Sequence, residues 1–262
     1  MAKEIDTIIV ATVTPDKSLP SSAAILQKNI NATNAWGYDL SAACSGFLFA
    51  LESGAALIES GRSKKVIVVG ADTMSSILDY EDRNTCILFG DGAGAILLEP
   101  SEKYGIIDSQ LNMDGYGAEH LKIDGGGSLF PPTHKTVQNK MHYVSQNGKL
   151  VFKHAVKGMA DVSYELLKRN KLTSKEINLF IPHQANKRII DATLKKLKLN
   201  DSQVIININK YANTTAGTIP ICISEAVDGN LLDINDNVLL CTFGAGFTWG
   251  ATYIKWGMSA HA

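Results

Sequence analysis

The chain has 262 residues, 45% of them hydrophobic, and a formal net charge of -1. That length supports one large domain or two fused halves with a substantial core, and the near-neutral charge excludes a global attraction for nucleic acid, so an acidic partner must be met by a local basic patch. No apolar run reaches membrane-spanning length, the opening Met-Ala-Lys-Glu-Ile lacks the charged-then-apolar pattern of a signal peptide, and a cytoplasmic location is expected.

In chain order, β-branched apolar runs at residues 7–12, 36–40, 65–71 and 93–98 read as strands, while 21–31 and 44–60 read as helices, an α/β pattern. The helix from Cys44 carries Phe47, Leu48, Leu51, Ala55, Leu57 and Ile58 around most of its circumference, which expects enclosure between layers; Gly61 is its stop. Asp124-Gly-Gly-Gly127, Pro131-Pro132 and the polar stretch to Gly148 read as a long loop region. A second set of elements follows: helix 149–170, strand 178–181, helix 186–197, strand 204–207, helix 215–227 and strands 237–243 and 248–256, with Thr173-Ser-Lys-Glu176 spaced as a capping box. The coarse succession of elements suggests two halves, 1–103 and 104–257, and residues 258–262 read as a tail or cloning remnant.

Cys44, Cys86, Cys222 and Cys241 form no C-x-x-C pair, so neither a zinc site nor a disulfide framework is expected. Cys86, Cys222 and Cys241 stand in apolar surroundings that keep a thiol neutral. Cys44 differs, because in Asp39-Leu-Ser-Ala-Ala-Cys-Ser-Gly-Phe47 an extended segment breaks on small residues where a helix begins, and a helix N-terminus favours the nucleophilic thiolate. The bland alternative is a buried small hydrophobe.

Ile181-Pro-His-Gln-Ala-Asn186 places His183 between a buried-strand pattern and a helix, where ligands bind on open α/β sheets. His120, His134, His142 and His261 fall in polar or irregular segments, and His154 lies within a helix. Tyr211-Ala-Asn-Thr-Thr-Ala-Gly-Thr-Ile-Pro220 repeats the arrangement with Asn213, whose ordinary role before a helix is an N-cap. Phe243-Gly-Ala-Gly-Phe247 is a third small-residue junction whose amides could hold an oxyanion, or else plain turn chemistry. Together these junctions suit acyl-thioester chemistry. Gly90-Asp-Gly-Ala-Gly94 lacks the Lys-Ser/Thr of a P-loop and precedes a strand, and no His, Cys and Asp cluster has metal-ligand spacing, so no metal is expected.

Residues 39–47, Asp82-Arg-Asn-Thr-Cys-Ile-Leu-Phe-Gly-Asp-Gly-Ala-Gly94, 181–186, 212–220 and 243–250 resemble the β-ketoacyl-[acyl-carrier-protein] synthase III family, the initiating condensing enzymes of bacterial fatty-acid synthesis, over residues 5–257. The resemblance implies a thiolase-like duplicated α-β-α-β-α fold, a homodimer, acyl-CoA and malonyl-acyl-carrier protein as substrates, and no permanently bound cofactor. It makes Cys44 the acylated nucleophile, His183 and Asn213 the pair promoting decarboxylation, and the amides of Cys44 and Ala245 the oxyanion hole. It further implies Arg83, Asn84, Ala185 and Asn186 as coenzyme A contacts, with Leu19 and Phe243 at the acyl pocket, Leu19 reaching into the partner's. Lys153, Arg188, Lys195 and Lys196 match a carrier-protein patch, against the alternative of a solvated helix face. Leucine at position 19, smaller than the aromatic residue often found there, expects tolerance of primers somewhat longer or more branched than acetyl. The family opens with a strand, helices and a Trp-Ile-x-x-Arg-Thr-Gly segment that grips coenzyme A. This sequence joins the pattern partway, at Asp6-Thr-Ile-Ile-Val-Ala-Thr12, which expects N-terminal truncation, an open sheet edge and weakened coenzyme A binding. Two alternatives stand beside this reading: an inactive scaffold that keeps dimerisation or carrier-protein binding, and a sister Cys-His-Asn enzyme such as a type III polyketide synthase.

Overall fold

A computed structural model describes residues 2–258; apart from Met258, the tail at 258–262, with His261, lies outside the described residues. Strand β1 (Thr7–Ala11) leads to helix α1 (Ser22–Asn29), β2 (Trp36–Leu40), a 3-10 turn at Ala43–Ser45, α2 (Gly46–Glu59), β3 (Val66–Thr73) and β4 (Asp91–Leu98). These strands make one sheet in the order β2-β1-β3-β4, with β1 parallel to both neighbours and β4 antiparallel to β3. Every residue of β1 is buried because the sheet is covered on both faces: Ile9 and Ala11 face the centre of the molecule, whereas Ile8 and Val10 pack against Ala23 and Leu26 of α1. The edges are β2 and β4, where Trp36 and Leu97 are exposed.

The rest of the chain supplies β5 (Gly105–Met113), a small ribbon of β6 (Leu121–Lys122) and β7 (Ser145–Gln146), short α3 (His134–Gln138), long α4 (Gly148–Arg169), β8 (Leu179–Pro182), α5 (Lys187–Leu197), α6 (Ile208–Tyr211), a 3-10 turn at Thr215–Gly217, α7 (Thr218–Asp228), β9 (Asn237–Gly244) and β10 (Thr248–Lys255). The second sheet runs β5-β10-β9-β8. Between the sheets, Phe47, Leu48 and Leu51 of α2 meet Ile219, Cys222 and Ile223 of α7 and Val238 and Leu240 of β9 in one core. Each large apolar side chain there contributes about 1.5–3 kcal/mol relative to exposure. On the outer face of the second sheet, Met159 and Leu166 of α4 and Ile190 and Leu194 of α5 enclose Phe180, Leu239 and Cys241. The layers are therefore α-β-α-β-α, the thiolase-like arrangement expected from the sequence.

Two local expectations need correction, and one strand carries no clear sign in the sequence. Residues 204–207 are not a strand: Val204 makes one isolated bridge to Phe180, after which the Gln184 side chain takes over the ladder, donating to the Ile205 carbonyl at 3.3 Å and accepting from the Asn207 amide at 3.1 Å. Residues 105–113 form a full strand at the sheet edge, hidden in the sequence by Asp108, Ser109, Gln110 and Asn112. The helix read from Cys44 starts at Gly46, because Cys44 belongs to the tighter 3-10 turn before it. The capping box at Thr173 and Glu176 is present in both directions.

Candidate active site

Cys44 is held at a strained turn. Ala43 before it has φ of 49°, a left-handed conformation rarely adopted outside glycine and asparagine. The turn is fastened to the β9–β10 hairpin about 200 residues later by neutral hydroxyls: Thr242 Oγ1 donates to the Cys44 carbonyl at 2.9 Å, Ser45 Oγ to the Thr248 carbonyl at 3.0 Å, and Thr248 Oγ1 to the Ala42 carbonyl at 3.1 Å. Gly244 is the close approach, since a Cβ there would stand 2.8 Å from the Cys44 amide nitrogen.

This enclosure reverses one expectation. Burial, and secondarily the charge of Asp72, pushes the Cys44 thiol up to about 12, so it rests protonated. A helix end offers partial charges, whereas the loss of water around the sulfur disfavours the whole anion. Cys222 and Cys241 are pushed to about 12 by burial too, so the ionisation of Cys44 does not set it apart; its position does.

Asn213 lies at a second turn of the same form. Its backbone is clamped to the first half of the chain, donating to Leu88 O and accepting from Gly90 N, both at 3.0 Å. Its Oδ1 accepts from Thr215 N at 2.9 Å; among the described residues its Nδ2 donor has no partner. Thr215 has φ of 49°. Its hydroxyl and the Ala216 amide both donate to Asp72 Oδ2, while Asp72 Oδ1 accepts from Thr12 Oγ1, Val13 N, Thr14 N and Thr14 Oγ1. A buried carboxylate thus knots the loop after β1 to the turn after Asn213, and the charge is offset by many donors.

His183 follows β8, with its backbone amide donating to the Cys241 carbonyl of β9 at 2.7 Å. The ring is 1% exposed, and burial holds it down to about 3, so it is neutral at physiological pH. Nδ1 lies 2.7 Å from Thr218 Oγ1, whereas Nε2 is buried and, among the described residues, without a partner.

Cys44, His183 and Asn213 line one cavity of about 460 Å³, together with Phe243 and Gly244. A smaller cavity of about 200 Å³ on Cys44 is walled by Met74, Ile77, Val144, Thr215 and Ala245.

Known proteins fit this geometry. Residues 38–115 match a family described as 3-oxoacyl-[acyl-carrier-protein (ACP)] synthase III, and 167–256 match its C-terminal counterpart. A β-ketoacyl-[acyl-carrier-protein] synthase III from Chlorobaculum tepidum is 55% identical over 97% of this chain and 78% of its own length; one from Koribacter versatilis is 54% identical with the same coverage. The chain belongs to the synthase III family. The crystal structure of 3-oxoacyl-[acyl-carrier-protein] synthase III from Aquifex aeolicus superposes with a TM-score of 0.90 at 39% identity, covering 97% of this chain and 78% of that one.

The other residues expected for a synthase III member are dispersed. Asn84, Ala185 and Asn186 line the larger cavity, and Asn186 also caps α5 by accepting from Arg188 N at 2.9 Å. Arg83 is exposed between the lining residues Asp82 and Asn84. Lys153, Arg188, Lys195 and Lys196 are exposed on α4 and α5, with the Arg188 guanidinium 5.5 Å from the centre of the Phe152 ring. Leu19 is 86% exposed and lies in a separate surface groove with Pro15 and Asp39, outside the lining of both cavities on Cys44. Asp72 and Thr218 escaped the sequence reading. The only signal for Asp72 was a lone carboxylate ending the apolar run of β3, and a threonine before Ile-Pro gives none.

Proposed function

We propose that this chain condenses an acyl-CoA primer with malonyl-acyl-carrier protein, releasing carbon dioxide and giving the 3-oxoacyl-carrier protein that starts a fatty-acid chain. The observation that carries the assignment of roles is the single cavity shared by Cys44, His183 and Asn213, with His183 Nε2 buried and without a partner among the described residues.

Cys44 Sγ attacks the thioester carbon of the primer, and the amides of Cys44 and Ala245 take the developing oxyanion, each donor contributing roughly 3 kcal/mol in the transition state. The bond to the coenzyme A sulfur breaks, and coenzyme A leaves as a thiol with the proton lost from Cys44. Because burial keeps Cys44 protonated, deprotonation is part of this step. Malonyl-carrier protein then loses carbon dioxide, the electron pair of the broken carbon–carbon bond becoming an enolate whose oxygen accepts from His183 and Asn213 Nδ2. The enolate carbon attacks the acyl-Cys44 carbonyl, and the cysteine sulfur departs as a thiolate and takes up a proton from solvent, the one proton the net reaction consumes.

In this reading the primer's coenzyme A runs past Asn84, Ala185, Asn186 and the exposed Arg83, and the acidic carrier protein docks on Lys153, Arg188, Lys195 and Lys196. Acyl-CoA is a substrate, and no resident cofactor takes part. The sheet drawn from residues 7–98 and the sheet drawn from 105–255 support a division into halves at 103/104, the first carrying the nucleophile. The working form is a homodimer in which Leu19 enters the partner's acyl cavity with Phe243 near the nucleophile. The test is intact-mass measurement after incubation with acetyl-CoA: one acetyl group is added, and it vanishes in Cys44→Ala. An unlabelled chain at saturating acetyl-CoA would overturn the reading in favour of an inactive scaffold.

A further inference from the structure

If His183 has the role given above, the reaction depends on which of its ring nitrogens carries the proton. A neutral imidazole has one N–H and one lone pair, and the partner of one nitrogen fixes the state of the other. An enolate oxygen needs a donor, so decarboxylation requires the N–H form at the nitrogen that faces the cavity.

Among the described residues the nitrogen without a partner is Nε2, and the other, Nδ1, meets the Thr218 hydroxyl at 2.7 Å. That hydroxyl has one proton and a second neighbour, the Thr215 carbonyl, at 3.1 Å. The carbonyl already receives the backbone N–H of Thr218, so its need for a donor is met. Nδ1 has no other partner among the described residues. Thr218 cannot swing aside: it is 2% exposed at the first position of α7, directly after the turn that Asp72 anchors.

We propose that the Thr218 hydroxyl donates to His183 Nδ1 and so holds the ring in its Nε2–H form, presenting a hydrogen-bond donor to the cavity. Thr218 is then a positioning residue, acting on the reaction through the imidazole. The loss of charge on burial supports the same picture, since a protonated ring would carry both hydrogens whatever Thr218 did.

The test uses the full chain labelled with 15N-histidine. Two-bond nitrogen–proton correlations distinguish a bare ring nitrogen from a protonated one, and the His183 signals are those absent in His183→Gln. The expected wild-type pattern is a bare Nδ1 and a protonated Nε2; a protonated Nδ1 overturns the proposal whether or not any variant folds. In Thr218→Val, which removes the hydroxyl at nearly constant shape, the ring is expected to populate both forms and decarboxylation of malonyl-carrier protein to fall about tenfold. Acetyl transfer to Cys44 reports that the fold survives, and Thr218→Ser restores both the spectrum and the rate. Decarboxylation at the wild-type rate in Thr218→Val overturns the proposal. A wild-type chain that shows the Nε2–H form yet never decarboxylates malonyl-carrier protein would refute the proposed reaction and leave the tautomer assignment standing.

Discussion

The turn at Cys44 and the turn at Thr215 are built alike and chemically opposite. Each has a non-glycine residue at φ of 49°, then a 3-10 turn, then a helix buried between the sheets. Each is backed by a strand glycine from the other sheet: Gly244 of β9 against the Cys44 amide, and Gly70 of β3 against the Ala216 carbonyl. Counted from the left-handed residue, Cys44 and Ala216 are equivalent, so the scaffold does not itself dictate a nucleophile. The fastenings differ as well. Neutral hydroxyls hold the first turn, whereas the carboxylate of Asp72 holds the second. One backbone device can thus seat a sulfur in a dry pocket or aim a carboxamide, according to which side chain sits there and what anchors it.

The largest loss should come from Asp72→Ala. It leaves six donors without their acceptor and is expected to cost about 3–5 kcal/mol in denaturant unfolding. In the molecules that remain folded, decarboxylation should suffer more than acetylation of Cys44, because only the second turn has lost its anchor. Asp72→Asn sharpens the point: it removes a charge that raises the Cys44 pKa, so alkylation by iodoacetamide should begin at lower pH than in the wild type. Burial remains the larger cause, and the profile should still lack a plateau near neutrality.

The glycines come next. Alanine at Gly70 or Gly244 forces backbone apart where no flexible side chain can yield, at an expected cost of about 1–3 kcal/mol each, read as a lowered Tm. The two should separate by half-reaction, Gly244→Ala slowing acetyl transfer and Gly70→Ala slowing decarboxylation. Equal losses in both assays would mean that the turns are not independent.

Cys44 in the first turn and His183, bonded to Thr218 just after the second, should also lower stability at opposite ends of the pH scale. An unfolded histidine takes up a proton near 6.5 that buried His183 refuses until about 3, so the unfolded state binds more protons and stability falls as pH drops through that window. For Cys44 the signs reverse. The unfolded thiol ionises near 9 but the folded one near 12, so stability is lost as pH rises between them. Urea midpoints across pH check both arms; Cys44→Ala should lessen the alkaline loss without removing it, since Cys222 and Cys241 titrate in the same range.

Much of this architecture was legible from local pattern. Cys44, His183 and Asn213 each stand where an apolar or extended run breaks on small residues, and the strands of both sheets other than β5 announce themselves as short apolar runs. What was not legible depends on distant chain. The protonation of Cys44 is set by walls that include the β9–β10 hairpin some 200 residues away, by Thr242 and Thr248 among others. Strand β5 is recognisable only once β10 pairs with it, and residues 204–207 look like a strand until the Gln184 side chain displaces the ladder. Asp72 and Thr218 matter through partners across the interface between sheets, which no spacing rule encodes.

The smallest expected effect lies on the far side of the Cys44 turn, where the cavity of about 200 Å³ opens. Its walls from this chain include Met74, Ile77 and Val144, and Leu19 is too far out on the same chain to shape it, being 86% exposed in another groove. If Leu19 limits the primer, it does so in the partner's cavity of a dimer. Leu19→Phe should then lower the turnover of isobutyryl-CoA relative to acetyl-CoA by about tenfold, the scale on which a pocket discriminates one or two carbons. The wild type should use acetyl-, butyryl- and isobutyryl-CoA comparably. An unchanged ratio in Leu19→Phe, with sedimentation confirming a dimer, would remove Leu19 from the acyl pocket and leave primer length to the walls contributed around Cys44 itself.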